Sequence, residues 1–402
     1  MAATRATRGD RNDRIVDAMA RADLDALICA FPANVLLLSG YWPVIGTALA
    51  FGSRDGRTVV LAPEDERGLA ERGWADAIHT FQPGSLAEIR TLSTALRQPL
   101  EQIARELGLG SGRIGYEHGP MSEPATYSAM NTYGASLADV LRHALGGASL
   151  TPADDVLTDL RSVKTPDEID VLRSACAIAG MAFETGSAEL EIGMRETEIA
   201  AGFRTPLSAQ GVGEDGARAD GFTWCMSGAN AAEAFGAYAR SRAKRVDRGD
   251  LVLVHCNSYL DGYWTDITRT YCAGEPDERQ RHLYEAVLAA RSAALDTIRP
   301  GARAADVDRA ARDELSTRGL GKAFKHATGH GVGFGAIDGG SPPRLHPASP
   351  DRLEPGMVFN VEPAVYFDGY GGLRHCDVVV VTETGVEVLT PFQATMEELR
   401  LD

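Results

Sequence analysis

The sequence predicts an α+β protein of two domains, a smaller α/β domain over residues 1–155 and a larger domain over 156–402 built around an antiparallel sheet. Three observations support this prediction. Helix-like and strand-like segments alternate between residues 13 and 150, which is typical of α/β domains. A break near 152–161 is followed by a strong helix start. Residues 249–271 form two β-branched runs around an Asp-Gly turn, which indicates a hairpin.

Composition narrows the classes of protein to which the chain can belong. Its 402 residues are 44% hydrophobic and 24% charged, as is typical of globular proteins with a sizeable core. The formal charge of −16 disfavours nucleic acid and anionic membrane as partners, because either would need a basic surface. Six cysteines without paired spacing, no secretory leader pattern and no membrane-spanning stretch predict a cytoplasmic protein.

The first domain is predicted to open with a frayed, Arg-rich terminus followed by a helix at 14–23. Apolar runs that predict strands occupy 26–30, 35–39 and 58–62, and helical patterns lie near 86–106. The second domain opens on a stronger helix signal. Thr165 is placed to cap the helix, Pro166 suits its first position, and Glu168 lies three residues after the cap. Further helices are predicted from starts at Arg195, Pro276 and Ala302.

The hairpin at 249–271 is predicted to organise the second domain. If the chain reverses at Leu260 and Asp261, then His255 lies opposite Asp266 and both side chains point into one pocket. A histidine at the end of a Val-Leu-Val run is also compatible with a buried structural role. The hairpin therefore predicts a pair of convergent polar groups.

Further ligand-type residues follow strand-like runs: His330 in Gly-His-Gly-Val-Gly, Glu362 before Pro, and Cys376 in Arg-His-Cys-Asp. In order and spacing these motifs resemble the pita-bread family of prolidases, aminopeptidases P, methionine aminopeptidases and creatinase, over roughly residues 155–395. The resemblance implies a curved antiparallel sheet backed by helices, a creatinase-like N-terminal α/β domain and a homodimer. The glycine-rich motif lacks the Lys-Ser/Thr of a phosphate loop, so a nucleotide is not expected.

The resemblance also implies a divergent metal site. In the peptidases of the family, two Asp, one His and two Glu side chains hold two metal ions. The five corresponding positions here are His255, Asp266, His330, Glu362 and Cys376. His255 replaces the first Asp, and Cys376 replaces the last Glu. The two histidines that handle the scissile amide in the peptidases correspond to Phe235 and Ile337, so the scaffold is kept while the peptidase chemistry is not.

The altered set predicts at most one metal ion. Bridging two cations needs two oxygens from each bridging side chain, which an imidazole and a thiolate do not supply. A mixed set of N, O and S donors suits one zinc or iron ion. Creatinase, in contrast, implies that the fold also works without metal. One ion and no ion both remain open on the sequence.

Two groups of candidate residues follow. Those predicted to carry the chemistry are His255, His330, Glu362 and Cys376. Those predicted to contact substrate are Phe235, Tyr41, Arg344, His346 and Arg374. Arg374 shares a strand face with Cys376 and can bind a carboxylate with its planar fork. Tyr41 lies in a segment that resembles the family's N-terminal domain, which helps to close the partner subunit's site, but a core aromatic fits equally well. Cys376 is also compatible with a small buried hydrophobe.

These observations favour a creatinase-like hydrolase that cleaves a C–N bond in a small polar amino-acid-like molecule, and not a dinuclear Xaa-Pro peptidase. A lyase using one metal ion is the first alternative. A binding module without catalysis is the second, and it is less favoured because His and Cys at the replaced positions are both chemically capable. The expected partners are the small-molecule substrate and a second copy of the chain.

Overall fold

The computed structural model forms two compact units, residues 1–167 and 168–402. It describes residues 5–43, 47–83, 91–119, 134–213, 216–236, 241–338 and 340–401. The division lies after Asp167, where the sequence predicts it after residue 155. Residues 154–162 form a helix tied to the first unit, because the buried guanidinium of Arg11 donates to the carbonyls of Leu160 at 2.7 Å and Val163 at 3.1 Å.

The first unit is built on a mixed sheet. Its strands are β1 Ala26–Cys29, β2 Leu49–Ser53, β3 Thr58–Pro63, β4 Ala77–Phe81, β5 Arg113–Tyr116 and β6 Ser149–Pro152. The described strands lie in the order β4-β3-β2-β1-β5-β6, with β1 antiparallel to β2 and parallel to β5. Its helices are α1 Arg5–Arg21, α2 Pro32–Ser39, α3 Arg67–Ala70, α4 Leu92–Glu106, α5 Gly134–Leu145 and α6 Asp154–Ser162. Apolar side chains of the sheet, α4 and α5 form the core.

Two sequence predictions for the first unit are wrong. The first helix begins at Arg5 and not at residue 14, so residues 5–13, predicted as part of a frayed terminus, are helical. Residues 35–39, predicted as a strand, belong to α2. Pro32 suits the first turn of that helix, and the left-handed Gly40 ends it. The buried carboxylate of Glu117 accepts the backbone N–H groups of Ala30 and Phe31 at the start of α2.

The second unit contains helices close to those predicted. They are α7 Pro166–Ala188, which begins at the boundary, α8 Glu196–Ser208, α9 Glu278–Thr297 and α10 Ala304–Thr317. Asp277 caps α9 in a capping box with Gln280, which explains its sharp start. No helix in the described ranges of the chain is long and apolar enough to cross a membrane.

The strands of the second unit fall into three groups. They are β7 Gly211–Val212, β8 Arg218–Ser227, β9 Leu251–Leu260, β10 Tyr263–Trp264, β11 Ile267–Ala273, β12 Val358–Val361, β13 Ala364–Phe367, β14 Gly371–Arg374, β15 Asp377–Val381, β16 Val386–Val388 and β17 Arg400–Leu401. The main sheet has the order β17-β11-β9-β8-β7, and β8, β9 and β11 pair antiparallel. Among the described residues, a second sheet has the strand order β12-β15-β16, and β13 and β14 form a third, two-stranded sheet. Single bridges link Thr268 to Cys376 and Gly331 to Phe359.

A buried ion pair fixes β15 against β11. The Arg269 guanidinium donates to the Asp377 carboxylate at 2.8 Å and to the Cys376 carbonyl at 2.8 Å, and both charged side chains are fully buried. Burial alone would raise the pKa of Asp377, but the adjacent Arg269, His375 and Arg291 hold it well below its usual range. Asp377 is therefore ionised, and the pair holds the neighbouring Cys376 and Arg374 in place.

Replacing Arg269 by Met is expected to destabilise the protein by about 3–5 kcal/mol, because it leaves the buried Asp377 carboxylate without its main partner. Chemical denaturation followed by tryptophan fluorescence measures the loss. The matched control is Arg173→Met, which removes a solvent-exposed pair with Glu387 and should cost no more than about 1 kcal/mol. Equal losses in the two variants would show that Arg269 does not anchor the strand.

Candidate active site

The hairpin of β9, β10 and β11 carries the first two site residues. Its turn is Asp261-Gly262, and both residues have positive φ, 50° and 86°, as a two-residue type I′ turn requires. The predicted register is therefore wrong by two residues: His255 lies opposite Thr268 and not opposite Asp266. Because side chains alternate with a period of two, the slip keeps His255 and Asp266 on one face.

The five predicted positions lie at five points of the chain that come together in the second unit. His255 lies on β9, Asp266 just before β11, His330 beside the Gly331 bridge, Glu362 after β12 and Cys376 before β15. His255 Nδ1 and Cys376 Sγ each lie 3.7 Å from Asp266 Oδ1. His330 Nε2 is 3.6 Å from Asp266 Oδ2 and 3.8 Å from Glu362 Oε1. The five predicted positions therefore lie in one cluster, and their roles stay predictions.

A guanidinium lies inside the cluster. Arg374, at the end of β14, is buried and directs Nη2 to His255 Nδ1 at 3.1 Å, Nε to Thr268 Oγ1 at 3.0 Å and Nη1 towards Glu362 Oε2 at 3.7 Å. Burial alone would lower the pKa of Arg374, but the nearby Tyr366 and Glu362 raise it above its usual value. The site therefore holds a fixed positive charge between an imidazole and a carboxylate.

His255 is fully engaged by the protein. Its Nδ1 faces Arg374 and the Thr268 hydroxyl, its Nε2 lies 3.3 Å from Asn257 Oδ1, and its ring stacks on Trp224 at 5.4 Å. Burial, followed by the charge of Arg374, holds the pKa of His255 well below its usual range. The imidazole is neutral, and both ring nitrogens are occupied.

His330 is paired with a buried asparagine. Its backbone N–H donates to Asn360 Oδ1 at 2.7 Å, and its Nε2 lies 3.2 Å from Asn360 Nδ2. Its Nδ1 lies 3.0 Å from the Gly331 carbonyl. Asn360 Nδ2 also lies 3.6 Å from Cys376 Sγ. The amide thus connects the imidazole to the thiol.

Cys376 and Asp266 share a buried, weakly solvated pocket. The Cys376 thiol donates to the Asp266 carbonyl at 3.2 Å, and burial followed by the Asp266 and Glu362 carboxylates raises its pKa well above the usual value. Burial also raises the pKa of Asp266, opposed by His330 and Arg374. Cys376 is therefore a neutral thiol and not a thiolate, which disfavours it as a nucleophile.

One of the predicted substrate contacts, Phe235, belongs to an aromatic wall. The half-buried Phe235 ring packs on Tyr366 at 5.7 Å, and Lys325 Nζ lies 4.7 Å over the Phe235 ring centre. The Tyr366 hydroxyl donates to His326 Nε2 at 2.9 Å, since His326 Nδ1 donates to the Ala327 carbonyl. Phe235 thus fills its position by packing, without a proton-handling group.

Two family models match the chain, one in each unit. Residues 170–383 match the family model described as metallopeptidase family M24, and residues 11–163 match the creatinase/prolidase N-terminal domain. The chain belongs to metallopeptidase family M24. The predicted family and fold class are confirmed, and the prediction of a hydrolase is confirmed at the level of that family.

Relatives in family M24 cover much of the chain. A Xaa-Pro dipeptidase of Pyrococcus furiosus is 34% identical over 238 residues, 59% of this chain and 65% of the relative. A probable dipeptidase PepE of Mycobacterium bovis is 36% identical over 267 residues, 66% of this chain and 67% of the relative. The solved Xaa-Pro dipeptidase from Bacillus anthracis, 25% identical, covers 98% of this chain and 100% of its own with a TM-score of 0.77.

The donor set of this family member does not fit a two-metal centre. His255 offers no free lone pair, and the Arg374 cation lies 3.7 Å from Glu362, where it opposes a second divalent ion. Within the described residues, no group of three or more His, Cys, Asp or Glu side chains is arranged to hold a metal ion. A single ion at His330 would have to displace Asn360 from Nε2. The number of bound ions stays a prediction.

Three predicted substrate contacts have structural partners elsewhere. Tyr41 is buried in the first unit and its hydroxyl donates to Glu66 at 2.6 Å, so the core alternative for Tyr41 is the one observed. Arg344 forms a two-pronged pair with Asp351, at 2.9 and 2.8 Å, that fixes its own loop. His346 accepts a backbone N–H from the same loop. The polar contacts described for these residues serve local structure, so they give the predicted substrate role no support.

Three site residues were missed on the sequence: Asn257, Thr268 and Asn360. Each lies two residues from a predicted ligand, and each carries a side chain that can hydrogen-bond an imidazole. The period-two pattern that places Arg374 beside Cys376 applies equally to Asn257 beside His255 and to Asn360 beside Glu362. That pattern was the available signal.

Proposed function

We propose that the chain hydrolyses a C–N bond in a small polar amino-acid-like substrate and is not a standard dinuclear Xaa-Pro peptidase. The observation that carries the proposal is the Arg374 guanidinium inside the ligand cluster, 3.1 Å from His255 Nδ1 and 3.7 Å from Glu362 Oε2. A guanidinium can bind a substrate carboxylate or a developing oxyanion, but it does not ionise water as a metal does.

The remaining groups can move protons. Glu362 lies beside His330 Nε2, at 3.8 Å, and beside Arg374, so it can accept a proton from water as hydroxide attacks the substrate carbon. His330 takes that proton at Nε2 and returns it to the nitrogen that leaves when the C–N bond breaks. Asp266, 3.6 Å from His330 Nε2, stabilises the imidazolium formed on the way. Arg374 orients the substrate and offsets the negative charge.

Xaa-Pro dipeptidase activity is the rival function, because the relatives are named for it. The lyase and binding-module alternatives also remain testable. We further propose a homodimer in the cytoplasm, in keeping with the family resemblance and the composition.

Product analysis separates the rivals. The protein is incubated in ¹⁸O-labelled water with a panel of guanidino, ureido and N-acyl amino acids and with Xaa-Pro dipeptides. Hydrolysis of a non-peptide C–N bond incorporates ¹⁸O into one product, whereas a lyase gives an unsaturated, unlabelled product. Release of proline from the dipeptides alone, with ¹⁸O in the carboxylate of the other product, would overturn the proposal. No turnover of any compound together with saturable binding would favour the binding module.

Replacing Glu362 by Gln or His330 by Ala is expected to lower kcat by about 10²-fold or more, because each change removes a group that accepts or carries the proton. Steady-state kinetics on the best substrate of the panel measures the change. His346→Gln is the control, since the bonds of His346 to the described residues lie within its own loop, and this variant should leave kcat within about twofold. Full activity in Glu362→Gln would exclude the proposed base.

A further inference from the structure

Each of the two site histidines contacts an asparagine, and the two contacts have opposite polarity. We infer that Asn360 and Asn257 hold the histidines in opposite tautomers, with the proton of His330 on Nδ1 and the proton of His255 on Nε2. The inference rests on the proposed function for its catalytic meaning, and it assigns the two imidazoles different roles in the same site.

The partners of His330 fix its tautomer. The Gly331 carbonyl, 3.0 Å from Nδ1, can only accept, so Nδ1 carries the proton. The Asn360 amide cannot turn over, because its Oδ1 already accepts the His330 backbone N–H at 2.7 Å. Its NH₂ group therefore faces Nε2 at 3.2 Å, and Nε2 accepts. The lone pair of His330 lies on Nε2, the atom nearest to Asp266 and Glu362.

The partners of His255 fix the reverse arrangement. Arg374 can only donate, so His255 Nδ1, at 3.1 Å from Nη2, is an acceptor. Asn257 Nδ2 donates to the Thr265 carbonyl at 3.4 Å, which turns Oδ1 towards His255 Nε2 at 3.3 Å. Nε2 therefore carries the proton and donates to the amide oxygen.

The backbone holds Asn360 close to its histidine. Asn360 is fully buried, and its N–H donates to the His330 carbonyl at 3.0 Å. A Cβ at Gly329 would collide with the Asn360 carbonyl oxygen, so only glycine permits the approach of the two segments. The backbone contacts thus hold the Asn360 side chain beside the His330 ring.

Opposite tautomers give the histidines different tasks. His330 has its lone pair beside the two carboxylates and is the imidazole that can take a proton from the reaction. His255 has its lone pair against Arg374, so it positions the guanidinium and is not a base. The catalytic role predicted for His255 from the sequence is therefore replaced by a positioning role.

Nitrogen NMR of protein labelled with ¹⁵N-histidine tests the inference, because the shifts of the two ring nitrogens distinguish the tautomers. The variants His330→Gln and His255→Gln assign the signals by removing one set each. In the native protein, the His330 signals are expected to show the proton on Nδ1 and the His255 signals the proton on Nε2.

Two matched asparagine variants sharpen the test. Asn360→Asp places an oxygen that can only accept beside His330 Nε2, while the Gly331 carbonyl still accepts from Nδ1. His330 is therefore expected to carry a proton on both nitrogens, and kcat to fall about 10²-fold with KM little changed, because the lone pair on Nε2 is lost. Asn257→Asp keeps an acceptor beside His255 Nε2, so its tautomer should not move. Both spectra are recorded after circular dichroism has shown that the variants are folded.

The native spectrum alone overturns the inference if His330 carries its proton on Nε2, even when Asn360→Asp does not fold. An unchanged His330 signal in a folded Asn360→Asp variant also overturns it. The tautomers are read without substrate, so their failure is distinguishable from failure of the proposed function, which would leave the expected spectrum in place and the substrate panel unhydrolysed.

Discussion

Xaa-Pro dipeptides are expected to be cleaved at least about 10²-fold more slowly by this protein than by a prolidase, with or without added manganese or cobalt. By the family resemblance, the histidines that handle the scissile amide in the peptidases correspond to Phe235 and Ile337. Neither side chain carries a proton donor or acceptor, and Phe235 instead packs on Tyr366. Loss of a single transition-state hydrogen bond already costs about 10²-fold or more, so loss of both groups is severe.

The lost metal ligands act in the same direction. His255 is neutral and bonded to Arg374, so it supplies no anionic oxygen for a bridged water. Activation of water by two bridged cations is therefore unsupported by the donor set.

The measurement is release of proline from a set of Xaa-Pro dipeptides at saturating metal. The Pyrococcus furiosus Xaa-Pro dipeptidase, at a temperature where it is active, serves as the positive control. Turnover of the present protein within tenfold of that control would contradict the prediction and would favour the function for which the relatives are named.

Local signals predicted the helices of the second unit well. α7 begins at Pro166, as Pro at a first helical position predicts, and Asp277 caps α9. Both signals act within one turn and are readable from neighbouring residues. The apolar run at 35–39 was misread because a short buried helix and a buried strand have the same composition. Its helical state depends on Glu117, a residue far along the chain that receives the N–H groups at the helix start.

The sequence predicts which residues share a strand face, because that follows from the period of two. It does not predict hydrogen bonds between residues that lie far apart in the chain. His255 and Asp266 converge despite a register error of two residues, because a shift by one full period keeps the strand face. Arg374 was predicted to contact substrate, but its bonds to His255 and Thr268 join segments more than one hundred residues apart. The period-two pattern places Arg374 beside Cys376, but no local pattern shows that its guanidinium bonds to His255 and Thr268.

The metal content follows from the same groups. The native protein is expected to bind at most one divalent ion after incubation with manganese or cobalt and removal of the excess. Asp266 and Glu362 supply the only carboxylates among the five family positions, and Arg374 already contributes a positive charge. A second divalent cation would lack compensating charge.

Combining His255→Asp with Cys376→Glu is expected to raise the count to two ions, because it doubles the carboxylates at the site from two to four and restores oxygens that can bridge. Elemental analysis of the dialysed proteins measures the count, and the two single variants are the controls, each expected to stay at one ion or fewer. Peptidase activity should remain absent in the double variant, since Phe235 and Ile337 still replace the two histidines that transfer protons in the peptidases. Two fully occupied ions in the native protein would falsify the prediction, because the Arg374 cation and the neutral His255 and Cys376 would then have to coexist with a dinuclear centre.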